Sequence, residues 1–290
     1  MNYSIRHRTT YRYAEHVSNS HHLAHLTPFS NNSQTSRRTN LTITPEPDTL
    51  SSHLDSFQNL THFFSITTPH KELVIESYSE VEVLDRGTDA LLISPPWEEV
   101  IQQLSASTSA ADLDAVGFSF PSPLCPKHPD LREYALQSFT PNRPVLDAAA
   151  DLNSRIHQDF AFDDSATTVT TPVMEVFKKR AGVCQDFAHL QISCMISLGL
   201  PVRYVSGYIR TDPPPGKPRL VGADASHAWV DLYVPSLGWH EFDATNNLIP
   251  SLSHIRVAHG RDYHDICPVR GTVYGGGHQS LFIGVTVTPL

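Results

Sequence analysis

Gly182-Val183-Cys184-Gln185-Asp186-Phe187-Ala188-His189-Leu190, continuing to Cys194, Leu198 and Gly199, is the stretch that organises the chain. Phe187, Leu190, Cys194 and Leu198 recur at spacings of three or four, the period of a helix running from about Cys184 to Leu198, and Gly199 is its stop. Cys184 then falls in the first turn, where unpaired backbone N–H groups and the positive end of the helix dipole favour negative charge on sulfur.

Upstream, Thr171-Pro172-Val173-Met174-Glu175-Val176-Phe177-Lys178-Lys179-Arg180 predicts a shorter helix. Thr171 is its expected N-cap, Pro172 its first residue and Gly182 its C-terminal glycine. Downstream, three strands are expected over 202–210, 227–234 and 239–243. Between the first two, Thr211 to Pro218 is too rich in proline for regular structure and reads as a mobile surface loop. Farther upstream, 95–161 carries short helical segments over 97–104, 129–139 and 145–159, broken by prolines. The first 85 or so residues alternate in the manner of antiparallel strands, as in Leu73-Val74-Ile75-Glu76-Ser77-Tyr78. The last segment holds Gly275-Gly276-Gly277, read as a turn or a close backbone approach, and a strand from Ser280 to Thr288. The expected fold class is α+β. An N-terminal β-rich domain spans 1–90, a helical linker region 91–160, and a core with a C-terminal strand 161–290.

Composition narrows the function. A net charge of −9 without a run of Lys or Arg lacks the footprint for nucleic acid. No stretch approaches the roughly 18 apolar residues of a membrane helix, and the start at Met1 has no apolar signal segment. The expectation is a cytoplasmic protein that does not engage a membrane. Cys125, Cys184, Cys194 and Cys267 show no CxxC pairing, which argues against a disulfide framework or a structural zinc site. Although the chain has 17 histidines, no HExxH motif appears, and His21, His22 and His25 read as strand or loop residues. Asp163, Asp164 and Asp224 lack the alternating acids of a calcium loop. No metal or cofactor is expected.

Two partners for Cys184 stand downstream. Strand alternation puts His227, Trp229, Asp231 and Tyr233 on one face and Ala228, Val230, Leu232 and Val234 on the other. Asp243 lies across the turn Pro235-Ser236-Leu237-Gly238. A four-residue loop would pair Val230 with Asp243 and turn the aspartate away from His227. An odd loop, or a bulge that shifts the register by one, is required if the carboxylate is to hold the imidazole. Nucleophile, base and orienting acid in the order Cys, His, Asp follow the logic of acyl transfer through a thioester. One oxyanion donor would be the Cys184 amide. The second is unassigned among Gln185, Gln158 and His157. Asp186 and His189 are candidates for supporting groups or a structural pair, and Arg203, Tyr204 and Tyr208 for lining the cleft or for ordinary core-strand positions.

Five segments carry a resemblance. They are 180–189 (RAGVCQDFAH), 199–208 (GLPVRYVSGY), 222–229 (GADASHAW), 238–247 (GWHEFDATNN) and 260–271 (GRDYHDICPVRG). In this order they resemble the transglutaminase-like superfamily of papain-fold cysteine enzymes, specifically the bacterial proteins with a β-rich N-terminal region. The resemblance is strong from about 165 to 285 and weaker before about 85. It implies Cys184 as nucleophile, His227 as base and Asp243 as third member, on a helix packed against an antiparallel sheet. Ala244 stands where the family commonly has proline. The function implied is a cysteine protease or amidase acting on a peptide or protein substrate. A transglutaminase passing the acyl group to an amine, or a binding module without catalysis, are the alternatives. Oligomeric state is not legible.

Overall fold

A computed structural model of the chain describes residues 1–84, 93–210 and 225–290. The predicted Pro-rich loop and Asp224 lie outside them. The first unit contains strands β1 (Asn2–Ala24), β2 (Gln34–Thr44), β3 (Thr49–Leu54), β4 (Leu60–Ile66) and β5 (His70–Val83). Helices α1 (Trp97–Ala106), α2 (Ala110–Val116), α3 (Pro129–Leu136) and α4 (Val145–Asp159) follow, with a 3₁₀ turn over Gly117–Ser119. Next come β6 (Ala161–Phe162), α5 (Val173–Lys179), β7 (Ala181–Gly182) and α6 (Cys184–Leu198). The chain continues through β8 (Val202–Ile209), β9 (Ala225–Val234), β10 (Gly238–Phe242), β11 (His254–Gly260), β12 (Val269–Gly275) and β13 (Gln279–Pro289).

Period-two burial along β5, with Leu73, Ile75, Val81 and Val83 turned inward, makes one face of the first sheet apolar. That sheet runs β2-β5-β1-β4-β3, with β12 and β13 also paired to β1. β1 is long because its first half pairs with β5 and β13 and its second half with β4 and β12. The sheet therefore crosses the sequence divisions at 90 and 161. Gly275, Gly276 and Gly277 all have positive φ and carry the chain between β12 and β13 against His16 and Tyr13.

The second sheet is antiparallel, in the order β10-β9-β8-β11. α6 packs against β8 and β9 and is also contacted by α3, α4 and α5. Enclosure on all sides explains why nearly every α6 residue after Gln185 is buried. The strand β11 leaves one edge free, and two amide side chains of the first unit close it. Gln34 donates to the Arg256 carbonyl (2.7 Å) and accepts from its N–H (2.9 Å). Asn59 does the same at His259, both at 2.8 Å. Each amide reproduces the donor and acceptor of a neighbouring strand residue, which satisfies an edge that burial would otherwise leave unpaired.

Two helix-end expectations are corrected. α5 begins at Val173 with Pro172, not Thr171, in the N-cap position, and Thr171 Oγ1 instead accepts from the Thr168 N–H (2.9 Å). The left-handed residue that ends α5 is Arg180 (φ 54°), not Gly182. A guanidinium 4.6 Å and 4.5 Å from the ring centres of Phe160 and Phe177 holds Arg180 in that conformation.

Candidate functional site

The site begins with a cap. Asp186, in the first turn of α6, accepts from the Val183 N–H (2.9 Å) and from the Thr167 hydroxyl (2.6 Å). This is the backward half of a capping box, and it fixes the backbone that enters the helix at Cys184. Gly182 gives that carboxylate room. A Cβ there would stand 2.6 Å from Asp186 Oδ2, so this glycine is needed for close approach and not for a positive φ. Burial pushes the Asp186 carboxyl up, against the two hydrogen bonds. His189 is not its partner. Its Nε2 accepts from the Tyr263 N–H (3.1 Å), tying α6 to segment 260–271, and burial pushes the imidazole down to about 4.

Register brings the other two residues together. Gly238 pairs with Val234, which leaves the three-residue loop Pro235-Ser236-Leu237, and Phe242 pairs with Val230. Continued by one residue, that register sets Asp243 level with Trp229, on the face of His227. The odd loop meets the condition read from the sequence. Ser236 (φ 65°) and Gly238 (φ 85°) absorb the tight turn in left-handed conformations.

His227 Nε2 donates to Asp243 Oδ2 at 2.8 Å, with both side chains buried. The Cys184 side chain acts on the same ring, and with Nε2 on the carboxylate, Nδ1 is the nitrogen left for sulfur. Burial alone would push His227 down. The Asp243 and Cys184 side chains outweigh it, and the imidazole is raised to about 10. Asp243 is likewise penalised by burial, but hydrogen bonds from His227, His254 and Asn246 hold it far below the usual carboxylate range. Cys184 is half-buried and so within reach of a ligand, unlike the buried Cys125 and Cys194.

Several contributors were not found from sequence. His254 Nε2 donates to the same Asp243 Oδ2 (3.1 Å), and Asn246 Nδ2 does so at 2.7 Å. Asn153 of α4 donates to the Asp243 carbonyl (3.3 Å) and accepts from Gln191 of α6 (3.3 Å), so two helices grip the aspartate backbone. His254, Asn153 and Gln191 have no local motif, because each acts across the fold, whereas Asn246 lies three residues from Asp243 in segment 238–247 and was given no role there. Trp229 packs against both histidines, 5.9 Å from the His227 ring and 5.2 Å from His254. It can reach β11 because Gly207 lies between: a Cβ there would be 2.6 Å from the indole and would collide with the Ile255 carbonyl.

The remaining candidates are engaged in other contacts or exposed. Gln185 Nε2 donates to the Val169 carbonyl (3.1 Å), His157 Nδ1 is bonded to the carbonyls of Ala244 and Thr245 (3.2 and 3.0 Å), and Gln158 is exposed. Tyr204 and Tyr208 are buried core residues, and Tyr208 bonds His7 of β1 (2.9 Å). Arg203 is bonded to Asp231 (2.8 Å) in a buried network that continues through Arg256 to Glu241. Asp231 and Glu241 are cross-strand neighbours, and Arg256 between them makes that pairing of like charges tolerable. Arg203 also borders a cavity of about 940 Å³ beside Phe118, Tyr233 and Trp239. That cavity is at the far end of β9 from His227, roughly 20 Å along the strand. His25 is bonded to the Cys267 carbonyl (3.1 Å) and paired with Asp55 (3.4 Å). Among the described residues one group offers three possible metal-ligand atoms within 4.8 Å of one another: His227, Asp243 and His254. The Asp243 oxygen that bonds both imidazoles also takes the Asn246 amide. No helix among the described residues is long and apolar enough to cross a membrane.

A half-buried thiol at a helix N-terminus thus stands with an imidazole that a buried carboxylate orients, on a helix packed against an antiparallel sheet. Residues 132–244 match the transglutaminase-like superfamily and residues 3–82 the bacterial transglutaminase-like N-terminal region; the chain belongs to this superfamily. It is 38% identical, over 99% of its length and 92% of the relative's, to an uncharacterised protein of Mycobacterium tuberculosis. Over 111 residues, 37% of this chain and 17% of the relative, it is 29% identical to a protein-glutamine gamma-glutamyltransferase of Pseudomonas aeruginosa. In fold it is similar to the crystal structure of a Cytophaga hutchinsonii protein described provisionally as a cysteine protease. The TM-score is 0.76, with 21% identity over 99% of this chain and 90% of that one.

Proposed function

We propose that the protein is a cysteine enzyme that cleaves an amide bond of a peptide or protein through a thioester on Cys184, with His227 and Asp243 as its base and orienting acid. The carrying observation is the His227 ring hydrogen-bonded to the buried Asp243 carboxylate, with the half-buried Cys184 in the first turn of α6 acting on the same ring. The Cys184 sulfur attacks the amide carbonyl carbon, and the first N–H groups of α6 receive the developing oxyanion. The His227 imidazolium gives its proton to the leaving nitrogen as the C–N bond breaks. Part of what raises His227 to about 10 is its interaction with Cys184. Acylation of sulfur removes that part, which frees the ring to take a proton from the water that cleaves the thioester. Asp243 stays anionic throughout and fixes the ring orientation.

Hydrolysis is the preferred outcome. Transfer to an amine is the second reading, favoured by the partial match to the Pseudomonas aeruginosa transferase. Ammonia release from a glutamine-containing peptide, measured with and without a primary amine, separates them. Amine incorporation exceeding hydrolysis overturns the preference. Iodoacetamide labelling near pH 6 tests the enzyme reading itself: fast labelling of Cys184 is expected, and a rate like that of a free peptide thiol sinks it in favour of a binding module. Action in the cytoplasm, without nucleic acid or membrane, belongs to the same proposal and is tested by cell fractionation.

A further inference from the structure

We infer that His254 is a positioning residue for this site: by donating a second hydrogen bond to the Asp243 oxygen that already receives His227, it fixes the carboxylate against the imidazole. The inference rests on the proposed roles of Cys184, His227 and Asp243. His254 sits at the first position of β11, and its Nε2 is 3.1 Å from Asp243 Oδ2, with both side chains buried. Its Nδ1 lies 3.2 Å from the Ser253 hydroxyl. An anionic carboxylate demands a donor at Nε2, and a hydroxyl can either donate to Nδ1 or accept from it, so the contact with Asp243 is what fixes the Nε2 proton.

The arrangement solves a mechanical problem. Asp243 lies just beyond the last residue of β10, where the regular ladder has ended, and its backbone is held by the bridge to Leu248 and by Asn153. A carboxylate there can rotate about its own side-chain bonds. Asn246 restrains it from the same loop, only three residues away. His254 restrains it from β11, on the far side of β8 from β9, so the carboxylate is referenced to the sheet as a whole. The Trp229 ring, edge-on to His254 and stacked on His227, keeps the two imidazoles 5.8 Å apart and directed at one oxygen. With Oδ2 fixed, His227 keeps its proton on Nε2 when neutral, and Nδ1 remains directed to sulfur.

Cys184 alkylation tests this without knowledge of the substrate. Wild type, His254→Gln and His254→Phe are labelled with iodoacetamide from pH 5 to 9, and their thermal unfolding is followed in parallel. A glutamine amide places a donor near the position of the imidazole Nε2, whereas phenylalanine fills the space without one. His254→Phe is expected to lose about tenfold of the acid-side rate, as losses of supporting hydrogen bonds do elsewhere, and His254→Gln to stay within about twofold of wild type. If folded His254→Phe keeps the wild-type profile, the inference is overturned while the enzyme reading stands. If wild-type Cys184 itself shows no acid-side reactivity, the enzyme reading has failed instead. A second measurement needs no variant to fold. Nitrogen-15 spectra of histidine side chains at pH 7 should show a proton on His254 Nε2, and an Nε2 without a proton overturns the inference.

Discussion

Asp186 and Gly182 act on Cys184 without touching its chemistry, and single substitutions there should be disproportionately costly. Replacing Gly182 by alanine sets a methyl 2.6 Å from the carboxylate that binds the Val183 N–H. Gly182→Ala should lower stability by about 1–3 kcal/mol, as overpacking does, and slow Cys184 labelling as well. Urea unfolding together with iodoacetamide kinetics checks both; a change in stability alone would mean that Asp186 only caps the helix. Asp243→Asn leaves the shape of the site but can present its amide N–H to His227 and select the wrong tautomer. A loss of about 10³ to 10⁴ in turnover is expected, measured by product release. The same variant changes alkaline behaviour. Because folding raises His227 above its unfolded value, its stabilisation is full below about pH 6.5 and disappears as pH climbs toward 10. The alkaline fall in stability should therefore be shallower in Asp243→Asn. Cys184 was legible at this scale because its helix carries a local signature. His254 was not, because its whole meaning lies in a partner brought to it by the sheet.

At the scale of elements, the hairpin β9–β10 decides the site by parity. Three loop residues place Asp243 on the face of His227, and four would not. Inserting one glycine between Ser236 and Leu237 should leave a hairpin but either flip Asp243 or force a bulge. Loss of acid-side Cys184 labelling with β-structure retained by circular dichroism is the expected result; unchanged labelling would show that a bulge restores the register. The sequence 235–238 contains nothing that selects an odd count, since Gly238 can serve as the last loop residue or as the first of β10. The positive φ at Ser236 belongs to a serine, a residue without special licence for it. By contrast, the limits of α6 at Cys184 and Leu198 were readable, because a 3.6-residue period and a terminal glycine coincide there. At α5 the same reasoning misplaced both ends. An arginine stacked on aromatic rings took the left-handed position that glycine would ordinarily hold.

Across the molecule, burial of histidines sets an acid limit. Folding pushes His7 and His22 down to about 4, mainly because burial penalises their charged forms. The unfolded chain then binds more protons below about pH 6.5, so stability present above that pH is lost as it falls toward 4. Each site should contribute on the order of 1–3 kcal/mol to the loss at pH 4. Urea midpoints at pH 7, 6, 5 and 4 should fall steadily, and His22→Gln should flatten the fall; a flat wild-type profile would contradict this. The α+β class and the order of elements were legible, because alternation and helical period are local. The partners of β12 and β13 were not, since nothing near residues 269–289 points to residues 3–24. That closure also constrains the order of folding. Tyr3 pairs with Pro289, so the ladder that completes this side of β1 joins residues 286 positions apart in the chain (289 − 3). Sheet completion is therefore limited by the search for distant contacts, and until β13 arrives that side of β1 is an open edge.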